Sequence, residues 1–272
     1  MTTISRKSAS HNRQQWYHPT LSPEHGVYVV LAVSFLTGAA AAQQWTWATT
    51  LALICAFSGF QAEHPMVLLI KRRRRWKPRF WVWVGIYGGI ASAIAFWLFW
   101  QSQESWPLLA IYGAAIVTTL IDAASVWWRQ QKSIWNELIT FAAVCLSAPF
   151  AYVATVGTLS WQLVGLWILN ALFFSSAIFT VKFRKKKGAS VVPGLVFHSI
   201  AAVIVGFLWF VHWLAPITAM AFVVALVKFG MILWQKDWYH QAKIHYVAQI
   251  ETGTSFLFFV IVALSLLPAH MN

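Results

Sequence analysis

Apolar runs of roughly twenty residues, separated by short polar segments, dominate this chain. Nine can be drawn, near 26–43, 46–70, 80–100, 107–128, 137–157, 160–181, 194–214, 216–235 and 249–267. Each is close to the length a helix needs to cross the hydrocarbon core of a bilayer. Pro107, Pro193 and Pro216 stand near run starts, where a missing backbone N–H has no helical partner to lose. The pattern predicts an all-α polytopic membrane bundle of nine transmembrane helices, with residues 23–272 forming a single transmembrane domain.

Composition agrees with the pattern. The 272 residues are 59% hydrophobic, 17% aromatic and 10% charged, whereas a soluble domain carries about 25% charged residues. The net charge of +13 would suggest nucleic acid in a soluble protein, but its placement argues otherwise. If the N-terminus is cytoplasmic, the inner segments are the tail, 71–79, 129–136, 182–193 and 236–248. They hold every Lys and Arg of the chain except Lys228, and the outer connections hold none. This is the positive-inside bias, so no nucleic-acid partner is expected. It predicts a cytoplasmic N-terminus, an outer C-terminus and a multi-pass protein of a bacterial-type cytoplasmic membrane. Tryptophans gather at both interfaces, Trp45, Trp47, Trp106, Trp161 and Trp213 on one side and Trp76, Trp81, Trp127, Trp128, Trp135, Trp234 and Trp238 on the other. Residues 1–22 are expected as a flexible basic tail, with a cleavable signal peptide the competing reading of the first apolar run. Cys55 and Cys145 both lie in apolar runs and make no metal or disulfide motif.

Candidate chemistry comes from the few ionisable residues inside the runs. Glu63, His64, Asp122, His198 and Lys228 all lie about a third of the way in from the basic end. Such residues usually face a bundle interior or a wet cavity. A shared cavity open to the cytoplasm is expected, with Glu24 and His25 at its mouth. The rival is a structural lock, in which Lys228 pairs with Asp122 or Glu63. Glu24, Glu137 and Glu251 recur near the starts of the first, fifth and ninth runs, a weak sign of a four-helix repeat. Above the cavity, Arg72, Arg73, Arg74 and Arg75, with Arg184 and Lys185, form a basic rim suited to an anionic lipid headgroup or an isoprenoid phosphate. Membrane lipids are thus the expected partners. Glu63 and His64 point about 100° apart on a helix, and no HxxxH or ExxH spacing is present. Neither a metal nor a cofactor is expected.

Several short motifs carry a resemblance. Ser22-Pro23-Glu24-His25-Gly26-Val27-Tyr28 opens the first run, Asn136-Glu137-Leu138 opens the fifth, Val181-Lys182-Phe183-Arg184 closes the sixth, and Pro193 with His198 opens the seventh. In these the chain resembles the YwiC-like bacterial membrane proteins, departing from them at Val27-Tyr28 and in the lysines after Arg184. The resemblance implies a membrane fold and no defined activity. The nine-helix plan, with loops after the second and sixth helices on one face, is also similar to UbiA-type prenyltransferases. Those proteins hold magnesium and a diphosphate with Asp-rich motifs. Here Gln61, Glu63 and His64 stand near the first such loop, Asn170, Ser175 and Ser176 near the second, and no DxxxD is present. Three functions therefore stay open: a binder or enzyme for an amphiphilic phosphate, a small proton-coupled transporter, and a scaffold for a membrane complex.

Overall fold

A computed structural model describes residues 19–71, 77–102, 106–185 and 190–267. Among these, nine helical segments are long and apolar enough to cross a membrane. Four are single helices that begin the chain: α1 (His25–Ala42), α2 (Trp47–Lys71), α3 (Pro78–Gln101) and α4 (Trp106–Trp127). The fifth crossing is split into α5 (Ile134–Cys145) and α6 (Ser147–Val156). Next come α7 (Trp161–Lys185) and α8 (Val192–Phe210). The eighth crossing is split into α9 (Pro216–Met220) and α10 (Val223–Trp234). A short helix, α11 (Lys236–Gln241), precedes α12 (Ile244–Ser265). The expected spans agree with these to within a few residues. The largest shift is at the ninth, which starts five residues early and places Glu251 about two turns inside the helix.

Local chemistry sets the boundaries. Pro78, Pro193 and Pro216 sit in the first turns of α3, α8 and α9, where their fixed φ suits the helix. The Ser133 hydroxyl accepts from the Asn136 N–H at 3.2 Å and caps α5. Gly157 ends α6 with φ +89°, a conformation that favours glycine. The break between α5 and α6 has a clear cause. Pro149 offers no N–H to the Cys145 carbonyl four residues back, and its ring crowds that carbonyl.

α1 is the central helix. It is apolar all round, as a fully surrounded helix must be, and it packs against α2, α5, α6, α7 and α12. Phe35, Ser34 and Thr37 on it are wholly buried. At Gly38 a Cβ would overlap the Ala148 carbonyl of α6, so only glycine permits this approach. Polar side chains tie helices across the apolar interior. The Thr49 and Thr155 hydroxyls meet at 2.6 Å, the Thr218 and Ser265 hydroxyls at 2.8 Å, and Asn170 Nδ2 donates to Thr37 Oγ1 at 3.1 Å. Gly85, Gly88 and Gly89 are small residues of the kind that permits tight helix packing. They lie on peripheral α3 with nothing near their Cβ positions. The close approaches fall instead at Gly38, Gly165 and Gly194.

Two ends can be told apart. Lys182 pairs with Glu137 at 2.8 Å and donates to the Lys132 carbonyl at 2.9 Å. Arg184 donates twice to the Ala242 carbonyl, at 3.2 and 2.6 Å. These contacts gather the loops of the basic end. At the opposite end the Trp161 and Trp213 rings stack at 4.8 Å, and Gln43 Nε2 reaches the Leu266 carbonyl at 2.8 Å.

Candidate functional site

α2 and α4 supply the two carboxylates of interest. Glu63 lies eight residues before the end of α2, about 12 Å along the helix. Asp122 lies five residues before the end of α4. Both therefore sit below the basic loops, Glu63 half-buried and Asp122 with 9% of its surface exposed. Asp122 Oδ1 accepts from Asn136 Nδ2 at 2.8 Å. That amide is itself placed by the Ser133 cap and by a further contact to the Gln131 carbonyl at 3.3 Å. The second oxygen, Oδ2, is buried without a hydrogen-bond partner.

Glu63 and Asp122 line one cavity of about 510 Å³. Its walls are mainly small or apolar: Ala56 and Phe60 from α2, Ala91 and Ala95 from α3, Ile111 and Ala115 from α4, and Phe150 from α6. Thr118, Thr119 and Thr140 add hydroxyls near the carboxylates. α3 and α4 are neighbours in sequence but scarcely touch. Ser92 on α3 and Ala115, Ile116 and Thr119 on α4 line the cavity and are also exposed outside. The cavity thus opens sideways between these two helices. Tyr112 crosses the gap farther from the basic end, its hydroxyl donating to the Ala95 carbonyl at 3.0 Å. From Tyr112 to Asp122 is ten residues, about 15 Å of helix.

Beside the cavity, Pro65 lies within the α2 helix and denies the Gln61 carbonyl its usual N–H. The Gln61 side chain is put to other use. Its Oε1 accepts from the Ser22 N–H at 3.2 Å, and its Nε2 donates to the Tyr28 hydroxyl at 2.6 Å. The Tyr28 hydroxyl in turn donates to the Ser22 carbonyl at 3.2 Å, and Arg79 donates to the Pro19 carbonyl at 3.2 Å. Residues 19–22, expected within a flexible tail, are strapped across the basic end. Residues 1–18 of that tail lie outside the described residues.

The five ionisable residues expected to share a cavity are divided between two places. His64, Glu24 and His25 do not line the cavity, and neither do His198 or Lys228. His64 is half-buried on α2, and Glu24 and His25 are exposed at the start of α1. Lys228 of α10 is 3% exposed and pairs with Glu251 of α12 at 2.8 Å, not with Asp122 or Glu63. Glu251 also accepts from the Thr180 hydroxyl of α7 at 3.2 Å. The Lys228 ammonium stands 5.6 Å over the Phe173 ring, a further favourable contact for a buried cation. His198 of α8 contacts the Gly194 carbonyl through Nδ1 at 2.7 Å and stacks on Phe229 at 4.0 Å. Its Nε2 is buried without a partner. This second cluster binds α7, α8, α10 and α12 into one unit.

The basic end adds a small apolar cap. Tyr239 of α11 is fully buried with Phe183, Ile232 and Val247. Burial, and then the charge of Glu251, push its phenol up to about 12. Arg184, expected in a phosphate rim, spends two of its five N–H donors on Ala242. Arg72, Arg73, Arg74 and Arg75 lie outside the described residues, as does the Lys185 side chain. Among the described residues, no three His, Cys, Asp or Glu side chains gather as a metal site.

Sequence reasoning missed Asn136 as the partner of Asp122 and Tyr28 as the partner of Gln61. The spacing of Ser133 before Asn136 is a helix-cap signal, but it does not say what the amide will touch. The motifs opening the first and fifth crossings fall on this same half of the molecule, where Tyr28 ties α1 to α2 and Asn136 ties α5 to α4. The family model of the YwiC-like protein matches residues 21–152. Over that length the chain is similar to the YwiC-like family. The YwiC-like region runs from the Ser22 strap into α6 and supplies every residue lining the cavity. The Lys228–Glu251 cluster falls beyond it. No curated protein matches the sequence.

Proposed function

We propose that this YwiC-like membrane protein binds a lipid-like molecule that enters from the bilayer between α3 and α4. The supporting observation is the sideways-opening cavity of about 510 Å³, lined mainly by small and apolar side chains, with its two carboxylates, Glu63 and Asp122, towards the basic end. Its volume lies within the ~300–1,000 Å³ common for small-molecule sites. A chain-bearing molecule would lose little by leaving lipid for such walls, and its polar end would gain partners that lipid lacks.

The isoprenoid phosphate expected from the basic rim divides into two parts on this reading. The cavity supports the chain. The phosphate clamp rests on residues 72–75, which lie outside the described residues, and on Arg184, which is engaged with Ala242. A UbiA-type metal-diphosphate site gains no support, because Asn170, Ser175 and Ser176 bring no carboxylate to α7. Proton-coupled transport gains less from this geometry, because Tyr112 crosses the cavity's far end with its hydroxyl bonded to the Ala95 carbonyl. We infer from the charge placement that the basic end faces the cytoplasm of a bacterial-type cell.

Native mass spectrometry of the protein released gently from membranes tests the reading. Wild type should carry a discrete chain-bearing mass. Ala115→Phe, which fills the cavity from its exposed side, should lose most of it. A protein that carries no such mass, or carries it equally in the variant, would refute binding in this cavity.

A further inference from the structure

Two carboxylates face this cavity, and no Lys or Arg is among the described residues that line it. Asp122 receives one amide N–H from Asn136, and its Oδ2 remains buried and unpartnered beside the cavity. Lys228, the one Lys or Arg deep within a crossing among the described residues, is paired with Glu251. A buried carboxylate needs a counter-charge or a proton, because desolvation is costly and a lone amide offsets only part of it. Among the described residues, the partly buried Glu137 and Glu251 find their partners within the fold: Glu137 has Lys182, and Glu251 has Lys228 and Thr180. At Glu63 and Asp122 the described residues leave that need unmet, and they leave it unmet at the wall of a cavity.

We propose that the polar end of the ligand is a cation: the cavity takes an amphiphile whose apolar chain ends in an ammonium group, held by Glu63 and Asp122. This deepens the binding reading above and rests on it. The geometry suits the chemistry. The chain occupies the roughly 15 Å between Tyr112 and Asp122, and the ammonium lies where both carboxylates and the hydroxyls of Thr118 and Thr140 can accept its N–H bonds. A phosphate at the same depth would meet two like charges and no donor stronger than a hydroxyl. An anionic end, if a ligand has one, belongs nearer the membrane surface.

Photo-crosslinking in nanodiscs of zwitterionic lipid separates the two claims. Three probes share one sixteen-carbon chain with a diazirine at mid-chain, and end in a primary amine, an alcohol or a phosphate. The amine should label wild type about tenfold more than the phosphate, as expected for a charge-assisted pair. The labelled residues should map to the cavity walls, Ala91, Ala95 and Ile116 among them. Glu63→Gln, at a half-buried position, should remove most of that preference. Asp122→Asn should do the same, and Glu137→Gln, whose carboxylate serves Lys182 outside the cavity, should not. Equal labelling of the walls by all three probes would overturn the cationic head and leave chain binding standing. An amine preference unchanged in both Glu63→Gln and Asp122→Asn would also overturn it. No labelling of the cavity walls by any probe would overturn both readings.

Discussion

At the scale of single residues, the bundle shows how an ionisable group is tolerated near lipid. Tyr239 is the simplest case. Its phenol is enclosed by Phe183, Ile232 and Val247 on the basic end, with Glu251 near enough for its charge to oppose a phenolate. In the unfolded chain the phenol titrates near its ordinary value of 10.0; in the fold it is pushed up to about 12. The folded state therefore holds this proton more tightly. The stability it contributes is complete below pH 10 and is lost as pH rises from 10 towards 12. Two units correspond to at most ~3 kcal/mol. Thermal unfolding of the purified protein between pH 8 and 11.5 should fall more steeply for wild type than for Tyr239→Phe. Parallel slopes would mean that the phenol is hydrated and the cap looser than described. Tyr239 was not visible in the sequence as more than an interfacial aromatic, because its burial depends on where the loop after α10 folds back.

Pairs of helices are the next scale, and here the limits of the sequence have a physical reason. Distance along a helix from a charged loop fixes depth, so the common depth of Glu63, Asp122, His198 and Lys228 was legible. The order of helices around the bundle was not, because hydropathy sets a helix across the membrane without choosing its neighbours. Lys228 was thus expected to meet Asp122 or Glu63, while its partner is Glu251, one crossing later in the chain. The apolar run drawn for the ninth crossing began too near Glu251 to show that this residue is two turns inside α12. The break at Pro149 could be anticipated from proline chemistry, but the approach of Ala148 to Gly38 could not. The pair itself makes a sharp prediction. With Lys228 3% exposed, removing one partner leaves an uncompensated buried charge, and Lys228→Met or Glu251→Gln should each cost ~3–5 kcal/mol. The double change Lys228→Met/Glu251→Gln should cost much less than the sum. Unfolding midpoints of the four proteins in one detergent measure the coupling. Additive losses would show two independent packing sites rather than one ion pair.

The whole molecule is polarised from end to end, and its orientation follows from where its charge lies. Lys71, Lys77, Arg79, Arg129, Lys132, Lys182, Arg184, Lys236 and Lys243 all belong to loops or helix ends of one side. The described connections on the other side carry none. Translocating such a set across a cell membrane opposes both the membrane potential and the cost of desolvating each cation. The same side carries the strap of residues 19–22 and the carboxylate end of the cavity, so the orientation also decides which compartment neighbours the proposed head-group site. Single cysteines at exposed positions read it directly. In intact bacterial cells, Gln44→Cys between α1 and α2 should react with a membrane-impermeant maleimide, whereas Ser190→Cys before α8 should react only after the cells are opened. Both positions are exposed, and the native Cys55 and Cys145 are buried in the bundle and give a low background. The reverse pattern would place the basic end outside, against the potential. It would also turn the cavity's carboxylates towards the exterior, so that any cationic amphiphile they hold would be drawn from the outer leaflet rather than the inner one.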